Sequence, residues 1–116
     1  MIKKVLLTVV CLMALSHLEV MAQGYTALWK QVSDAQSKDL PKTELEVLDK
    51  IAAKAKTERS YGQLLKASLR HVAVQTQISP DSLDVELERV KDDLSQAEKS
   101  GNRVLAAVWQ SVLGRV

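Results

Sequence analysis

Apolar side chains after residue 24 recur at intervals of three and four positions, the spacing that places them on one face of an α-helix. The clearest stripe consists of Leu83, Leu87, Val90, Leu94 and Ala97. No segment of this region alternates between apolar and polar residues as a half-buried strand does. The pattern therefore predicts an all-α fold of about five amphipathic helices.

Local signals divide the first half of the pattern into helices. A first helix is predicted from about Thr26 to Lys38. A second begins at Pro41, because proline lacks the N–H that a first helical residue does not need. Ser60 and Gln63 have the spacing of a capping box, which predicts the start of a third helix.

Two further breaks follow. Ser79 has the side chain of an N-cap, and Pro80 is predicted as the first residue of the fourth helix. Gly101 is suited to end that helix in the left-handed conformation, and Asn102 is suited to cap a fifth helix.

Short breaks between helices favour antiparallel packing of sequence neighbours. Helical hairpins that repeat every 30 to 40 residues or so indicate a tetratricopeptide-like α-solenoid. Trp29, Ser33 and Ala35 are similar to the first helix of such a repeat, although no repeat matches completely. An up-and-down helical bundle is the alternative that the sequence leaves open.

The fifth helix carries an apolar stripe for which the sequence shows no partner. The stripe contains Trp109, Val112, Leu113 and Val116, and no polar capping helix follows it. We expect this stripe to be exposed and to form a partner surface. The partner would be the rest of a longer chain or a protein of the cell envelope. Residues 23–116 are accordingly predicted to be a helical domain at the front of a longer protein.

Residues 1–22 have the features of a secretory signal peptide. Lys3 and Lys4 precede the apolar run Val5–Leu15, which is shorter than the roughly 20 residues of a membrane-spanning helix. Cleavage is predicted after the small-residue box Val20–Ala22. This predicts export to the periplasm or cell envelope, with no membrane span after cleavage; an uncleaved anchor is the alternative.

Composition excludes several classes of site from the mature chain. Cys11, the only cysteine, lies within the predicted signal peptide, so residues 23–116 have neither a disulfide nor a cysteine-bound zinc. Signal cleavage removes two lysines and one glutamate, and the formal charge falls from +2 to +1. A nearly balanced charge and only four aromatic residues argue against nucleic-acid binding.

The residues offer little catalytic chemistry. His71 is the only histidine after the signal peptide, and it is interpreted as a structural residue. The acidic residues Asp81, Asp84, Glu86, Glu88, Asp92 and Asp93 lack the glycine and spacing of a calcium loop, so a solvated helix face is predicted. No catalytic, cofactor-binding or metal-binding residue is predicted, and the chain is interpreted as non-catalytic.

Several segments resemble one protein family. These are "YTALWKQVSDAQSKDLPKTELEVLDKIAAKAK", "YGQLLKASL", "QISPDSL" and "AEKSGNRVLAAVWQSVLGRV". Together they are similar to the N-terminal region of very large secreted bacterial proteins of the alpha-2-macroglobulin family. The resemblance covers residues 25–116.

The resemblance implies a helical segment that follows a signal peptide and precedes a long series of β-sandwich domains. It implies a protein of the cell envelope that acts on proteases by offering a bait region and trapping the protease that cleaves it. No thioester cysteine or macroglobulin strand pattern occurs in residues 23–116, so no functional residue of the family is assigned here. The expected function is a non-catalytic interaction or spacer module of such an inhibitor. The alternative is a free-standing periplasmic adaptor of the tetratricopeptide-like kind.

Overall fold

The computed structural model describes the backbone of residues 24–115 and the side chains of residues 24–114. Within this range every regular element is helical, which confirms the predicted all-α class. Helix α1 covers residues 24–37 and is followed by α2 (Pro41–Glu58), α3 (Tyr61–Ile78), a 3₁₀ turn (Pro80–Ser82), α4 (Leu83–Lys99) and α5 (Arg103–Arg115). The predicted signal peptide, residues 1–22, lies outside the described residues.

Two of the predicted helix boundaries are confirmed. Pro41 is the first residue of α2. At the other boundary, Gly101 has a φ of +75° after the end of α4. The side-chain oxygen of Asn102 then accepts a hydrogen bond of 3.1 Å from the backbone N–H of Leu105, as expected of an N-cap. Both signals act within a few residues, which is why they can be read from sequence.

One capping prediction and one boundary prediction are wrong. Helix α3 begins directly after Ser60, as predicted, but the Ser60 side chain makes no capping bond. The backbone N–H of Ser60 bonds to the carbonyl of Ala55 at 2.9 Å, and Gln63 Oε1 accepts a hydrogen bond of 2.6 Å from Trp29 Nε1. Pro80 begins a 3₁₀ turn instead of α4, and the side chain of Ser79 caps nothing. Ser82 Oγ donates to the carbonyl of Ser79 at 2.6 Å, which closes that turn.

One hydrophobic core joins the helices. Leu83 and Leu94 pack against it from α4, whereas Leu87, predicted to lie on the same stripe, is half-buried and outside it. The core forms where helices pack in pairs: α2 against α3, α4 against α5, and α3 against α5. Its buried members are Tyr25, Val32, Val47, Leu48, Ile51, Ala55, Leu64, Ala67, Val72, Val74, Val90, Ala97, Ala106, Val108, Trp109 and Val112.

The expectation that the stripe of α5 is exposed is wrong for two of its residues. Trp109 is 4% exposed and Val112 is 0% exposed, because α5 packs against both α3 and α4. Leu113 is half-buried against the same core, and Val116 lies outside the described residues. A partner would gain access to these two side chains only if α5 first separated from the helices that cover it.

Candidate functional site

A cleft of about 370 Å³ lies where α2, α3, α4 and α5 meet. It is lined by His71 of α3, whose side chain is 12% exposed. His71 Nε2 is 3.3 Å from Asp49 Oδ1 in α2, and Nδ1 is 3.6 Å from Glu86 Oε2 in α4. Arg89 Nη2 lies 3.4 Å from the same Nδ1 and donates to Glu86 at 2.7 Å. The imidazole therefore connects three helices.

Ser68 lines the same cleft, one helical turn before His71. A serine–histidine–carboxylate triad needs one imidazole nitrogen on the serine hydroxyl and the other on a carboxylate. Here both nitrogens of His71 face carboxylates, and no hydrogen bond joins it to Ser68 within the described residues. The three-residue interval between Ser68 and His71 places those two on one helix face, but no spacing in the sequence indicates that Asp49 joins them.

A second polar cluster joins α1 to the end of α2. Tyr25 donates a hydrogen bond of 2.5 Å to Glu58, and Lys54 donates one of 2.7 Å to the other carboxylate oxygen. The ammonium of Lys54 also lies 5.1 Å from the centre of the Tyr25 ring. The hydrogen bond from Lys54, and then that from Tyr25, holds the pKa of Glu58 below its ordinary value of 4.5. From sequence, only the four-residue interval between Lys54 and Glu58 indicates this cluster.

An open groove of about 550 Å³ lies between α1 and α3. We call it the α1–α3 groove. Its α1 side consists of Trp29, Val32, Ser33 and Gln36. Its α3 side consists of Lys66, Leu69, Arg70 and Ala73. Both sets recur at intervals of three and four residues, so each helix presents one edge to the groove over two turns.

A smaller cavity of about 170 Å³ extends the groove. The two share Gln36 and Arg70, and the extension adds Asp39, Leu40 and Gln77 among others. Leu40 is 46% exposed, as a few other large apolar side chains of the described residues also are.

The charges of the groove differ between its two ends. Lys66 lies 4.2 Å above the ring of Trp29, and no carboxylate pairs with it in the part of the chain that the structure describes. Arg70 is neutralised by a bond of 2.8 Å to Glu44, which is buried below it. Asp39 lies at the far end. The groove therefore has a cationic end and an anionic end.

The acidic residues of the 3₁₀ turn and α4 divide into two groups. Asp81, Asp84, Glu88 and Asp92 are exposed, as predicted. Contrary to the prediction of a solvated face, Glu86 is buried against His71 and Arg89, and Asp93 is half-buried at the cleft that His71 lines. Among residues 24–114, no group of three histidine, cysteine, aspartate or glutamate side chains is arranged to hold a metal ion.

The helices within the described range are all too short or too polar to span a bilayer.

No protein family, curated protein or solved structure matches the chain.

Proposed function

We propose that the chain is a non-catalytic helical module that binds protein. The observation that carries this proposal is the α1–α3 groove. Its floor is apolar, and it is lined by regular edges of two helices. Concave, mostly apolar surfaces with a few placed polar groups are typical binding sites. The groove is also larger and more open than the cleft around His71.

The state of the titratable side chains also favours binding over catalysis. The imidazole of His71 lies within 3.6 Å of two carboxylates, and Glu58 accepts hydrogen bonds from Lys54 and Tyr25. Groups paired in this way connect helices to one another, whereas a general base must be free to receive a proton from substrate. An enzymatic activity that disappears in His71→Ala would overturn this interpretation.

For the architecture, we favour a stack of antiparallel helical hairpins over a closed bundle. Within the described residues, the backbone of α2 packs closely on α3, α3 packs on α5, and α5 packs on α4. Hairpins that pack on one another through adjacent helices are the pattern of an α-solenoid, in which each repeat contacts the next. The connection of two residues between α2 and α3 suits such a hairpin.

The biological setting that we propose comes from the sequence resemblance. In that setting the module is the exported N-terminal segment of an alpha-2-macroglobulin-like protease inhibitor in the periplasm or cell envelope. The alternative is a free-standing periplasmic adaptor. Sequencing beyond the codon for Val116 separates the two, because only the first predicts a reading frame that continues into a long β-rich chain.

Site-specific cross-linking in the producing cell tests the binding function. A photoreactive residue replaces Ser33, which is exposed in the α1–α3 groove, or Ser95, which is exposed on α4 away from it. We expect a discrete protein adduct from position 33 and none from position 95. Equal adducts from the two positions, or none from position 33, would contradict the proposed function.

A further inference from the structure

We propose that the α1–α3 groove is the docking site for an amphipathic helix of a partner protein. The docked helix runs in the direction opposite to α1 and α3 and places an acidic residue of its last turn at Lys66. This inference rests on the proposed function and specifies the chemistry of the partner.

The dimensions of the groove fit a helix. On α3 it extends from Lys66 to Gln77, which at a rise of 1.5 Å per residue is about 16 Å, or roughly three helical turns. Small side chains on both edges, Ser33 and Ala73, allow a third helix to approach closely. Exposed Leu40 supplies an apolar contact at the far end.

The floor of the groove favours a helix over an extended peptide. Val32, Leu69 and Trp29 offer an extended peptide few hydrogen-bond partners. The backbone groups of α1 and α3 are already bonded within their own helices. An extended peptide would place its N–H and C=O groups over this apolar surface without partners, which is costly. A helix satisfies those groups internally and presents only side chains.

The direction follows from the charges. Low-numbered residues of both α1 and α3 line the end with Lys66, and high-numbered residues line the end with Asp39. The dipoles of α1 and α3 therefore point the same way, and an antiparallel third helix opposes both. Its negative C-terminal end then meets the Lys66 ammonium, and its positive N-terminal end meets the Asp39 carboxylate.

Helix α2 is already antiparallel to α1. It begins next to the end of α1, and its last residue, Glu58, accepts the hydrogen bond from Tyr25 at the start of α1. Since α2 also packs against α3, it runs opposite to α1 on the covered side. The docked helix would run in the same direction as α2, on the side of α1 and α3 that forms the open groove.

The test measures binding of two synthetic peptides to the full chain by fluorescence anisotropy. Each peptide is an amphipathic helix of about four turns with leucines at helical spacing. One carries glutamates in its last turn and the other carries lysines there. We expect the glutamate peptide to bind the wild-type chain about tenfold more tightly than the lysine peptide.

Two kinds of variant locate the site. Ala73→Glu places a charged side chain in the groove and should abolish binding, whereas Ala107→Glu, at an exposed position of α5, should not. Lys66→Glu should reverse the order of the two peptides. Lys66→Gln, which removes the charge and keeps a polar side chain, should make their affinities equal. Far-UV circular dichroism identifies any variant that fails to fold.

Equal binding of the two peptides, no saturable binding, or unchanged binding to Ala73→Glu would overturn the inference. It would also be wrong if the wild-type chain were a dimer in light scattering and Ala73→Glu were a monomer, because the occupant would then be a second copy. If neither peptide binds but position 33 still forms cross-links, only the inference of a docked helix is contradicted. Absence of cross-links contradicts the proposed function by itself.

Discussion

Leu48 and Leu87 occupy similar positions on the apolar stripes of their helices, but the structure buries them to different degrees. Leu48 is 1% exposed and belongs to the core, whereas Leu87 is half-buried and lies outside it. Leu48→Ala should therefore lower the free energy of unfolding by about 2 to 5 kcal/mol, as expected for a leucine removed from a packed core. Leu87→Ala should lower it by about 1 kcal/mol. Urea denaturation measures both.

The matched control is Glu88→Ala, an exposed neighbour of Leu87 on α4. Its effect should be about 0.5 kcal/mol or less. If Leu87→Ala destabilised the chain as much as Leu48→Ala, the boundary assigned to the core would be wrong.

The Glu58 cluster gives the stability of the chain a defined dependence on acid. Its hydrogen bonds with Lys54 and Tyr25 lower the pKa of Glu58 in the folded chain below the ordinary value of 4.5. The folded state binds this proton less readily, so the stabilisation is present above that ordinary value and is lost as the pH falls through the lowered one. The difference in unfolding free energy between wild type and Glu58→Gln should therefore shrink as the pH falls from 7 to about 3.

Urea titrations at several pH values measure this difference, and Glu98→Gln is the control because Glu98 is exposed and has no ion pair within the described residues. A constant difference between wild type and Glu58→Gln over that range would contradict the assignment.

The same cluster also gives the stability of the chain a dependence on alkali, where stability is lost as the pH rises. Burial, and then the hydrogen bond to Glu58, raises the pKa of Tyr25 above 10.0. The hydrogen bond to Glu58 raises the pKa of Lys54 above 10.5. For groups with a raised pKa, the stabilisation is complete below the ordinary value and is lost as the pH rises through the raised one. Tyr25→Phe should therefore remove part of the alkaline loss of stability in a thermal melt series between about pH 8 and 11.

At the scale of elements, Gly101 in the turn between α4 and α5 and Gly62 in α3 predict substitutions with effects of opposite sign. Gly101 has a φ of +75°, where a side chain is strained, so Gly101→Ala should destabilise the chain by about 1 kcal/mol. Gly62 is the second residue of α3, and a Cβ there meets nothing within 4 Å. Gly62→Ala should therefore stabilise the chain by about 0.4 to 1 kcal/mol. Differential scanning calorimetry compares the two variants, and a shift in the same direction for both would contradict this description of the turn.

Helix boundaries were predictable where one or two neighbouring residues determine them, as Pro41, Gly101 and Asn102 do. At Ser60 the Gln63 half of the predicted capping box is lost, because the Gln63 side chain bonds to an indole 34 positions away along the chain and the Ser60 N–H bonds to Ala55. An indole N–H without a partner in a half-buried site would be costly, so the contact between helices prevails over the local motif. Only the fold brings Trp29 to Gln63.

The candidate site was less predictable than the helices. The periodicity identified the apolar face of α5 but not the helices that cover it, which is why Trp109 was expected at the surface. The α1–α3 groove combines edges of two helices that are separated in sequence by α2. Neither edge differs in sequence from an ordinary half-buried helix face, so the groove appears only once the helices are packed.

At the scale of the whole molecule, the core is continuous from Tyr25 in α1 to Val112 in α5, and this predicts cooperative unfolding. The two tryptophans report on opposite ends of the described chain, Trp29 in α1 and Trp109 in α5. In Trp109→Phe the fluorescence reports on α1, and in Trp29→Phe it reports on α5. For each variant, the urea transition followed by fluorescence should coincide with the transition followed by far-UV circular dichroism. An earlier fluorescence transition in Trp29→Phe would instead mean that α5 opens independently.

The turns at Asp39, Arg59 and Gly101 are so short that they limit which insertions and deletions the chain tolerates. Each has a residue in the left-handed region within a connection of two or three residues. One residue inserted into a helix beside such a turn would rotate the following side chains by about 100° around the helix axis. This would turn an apolar stripe towards solvent. Homologous genes should therefore differ by substitution and conserve the lengths of these connections. Insertions and deletions should concentrate outside the helical array, so the spacing of these turns is a better guide to distant relatives than residue identity.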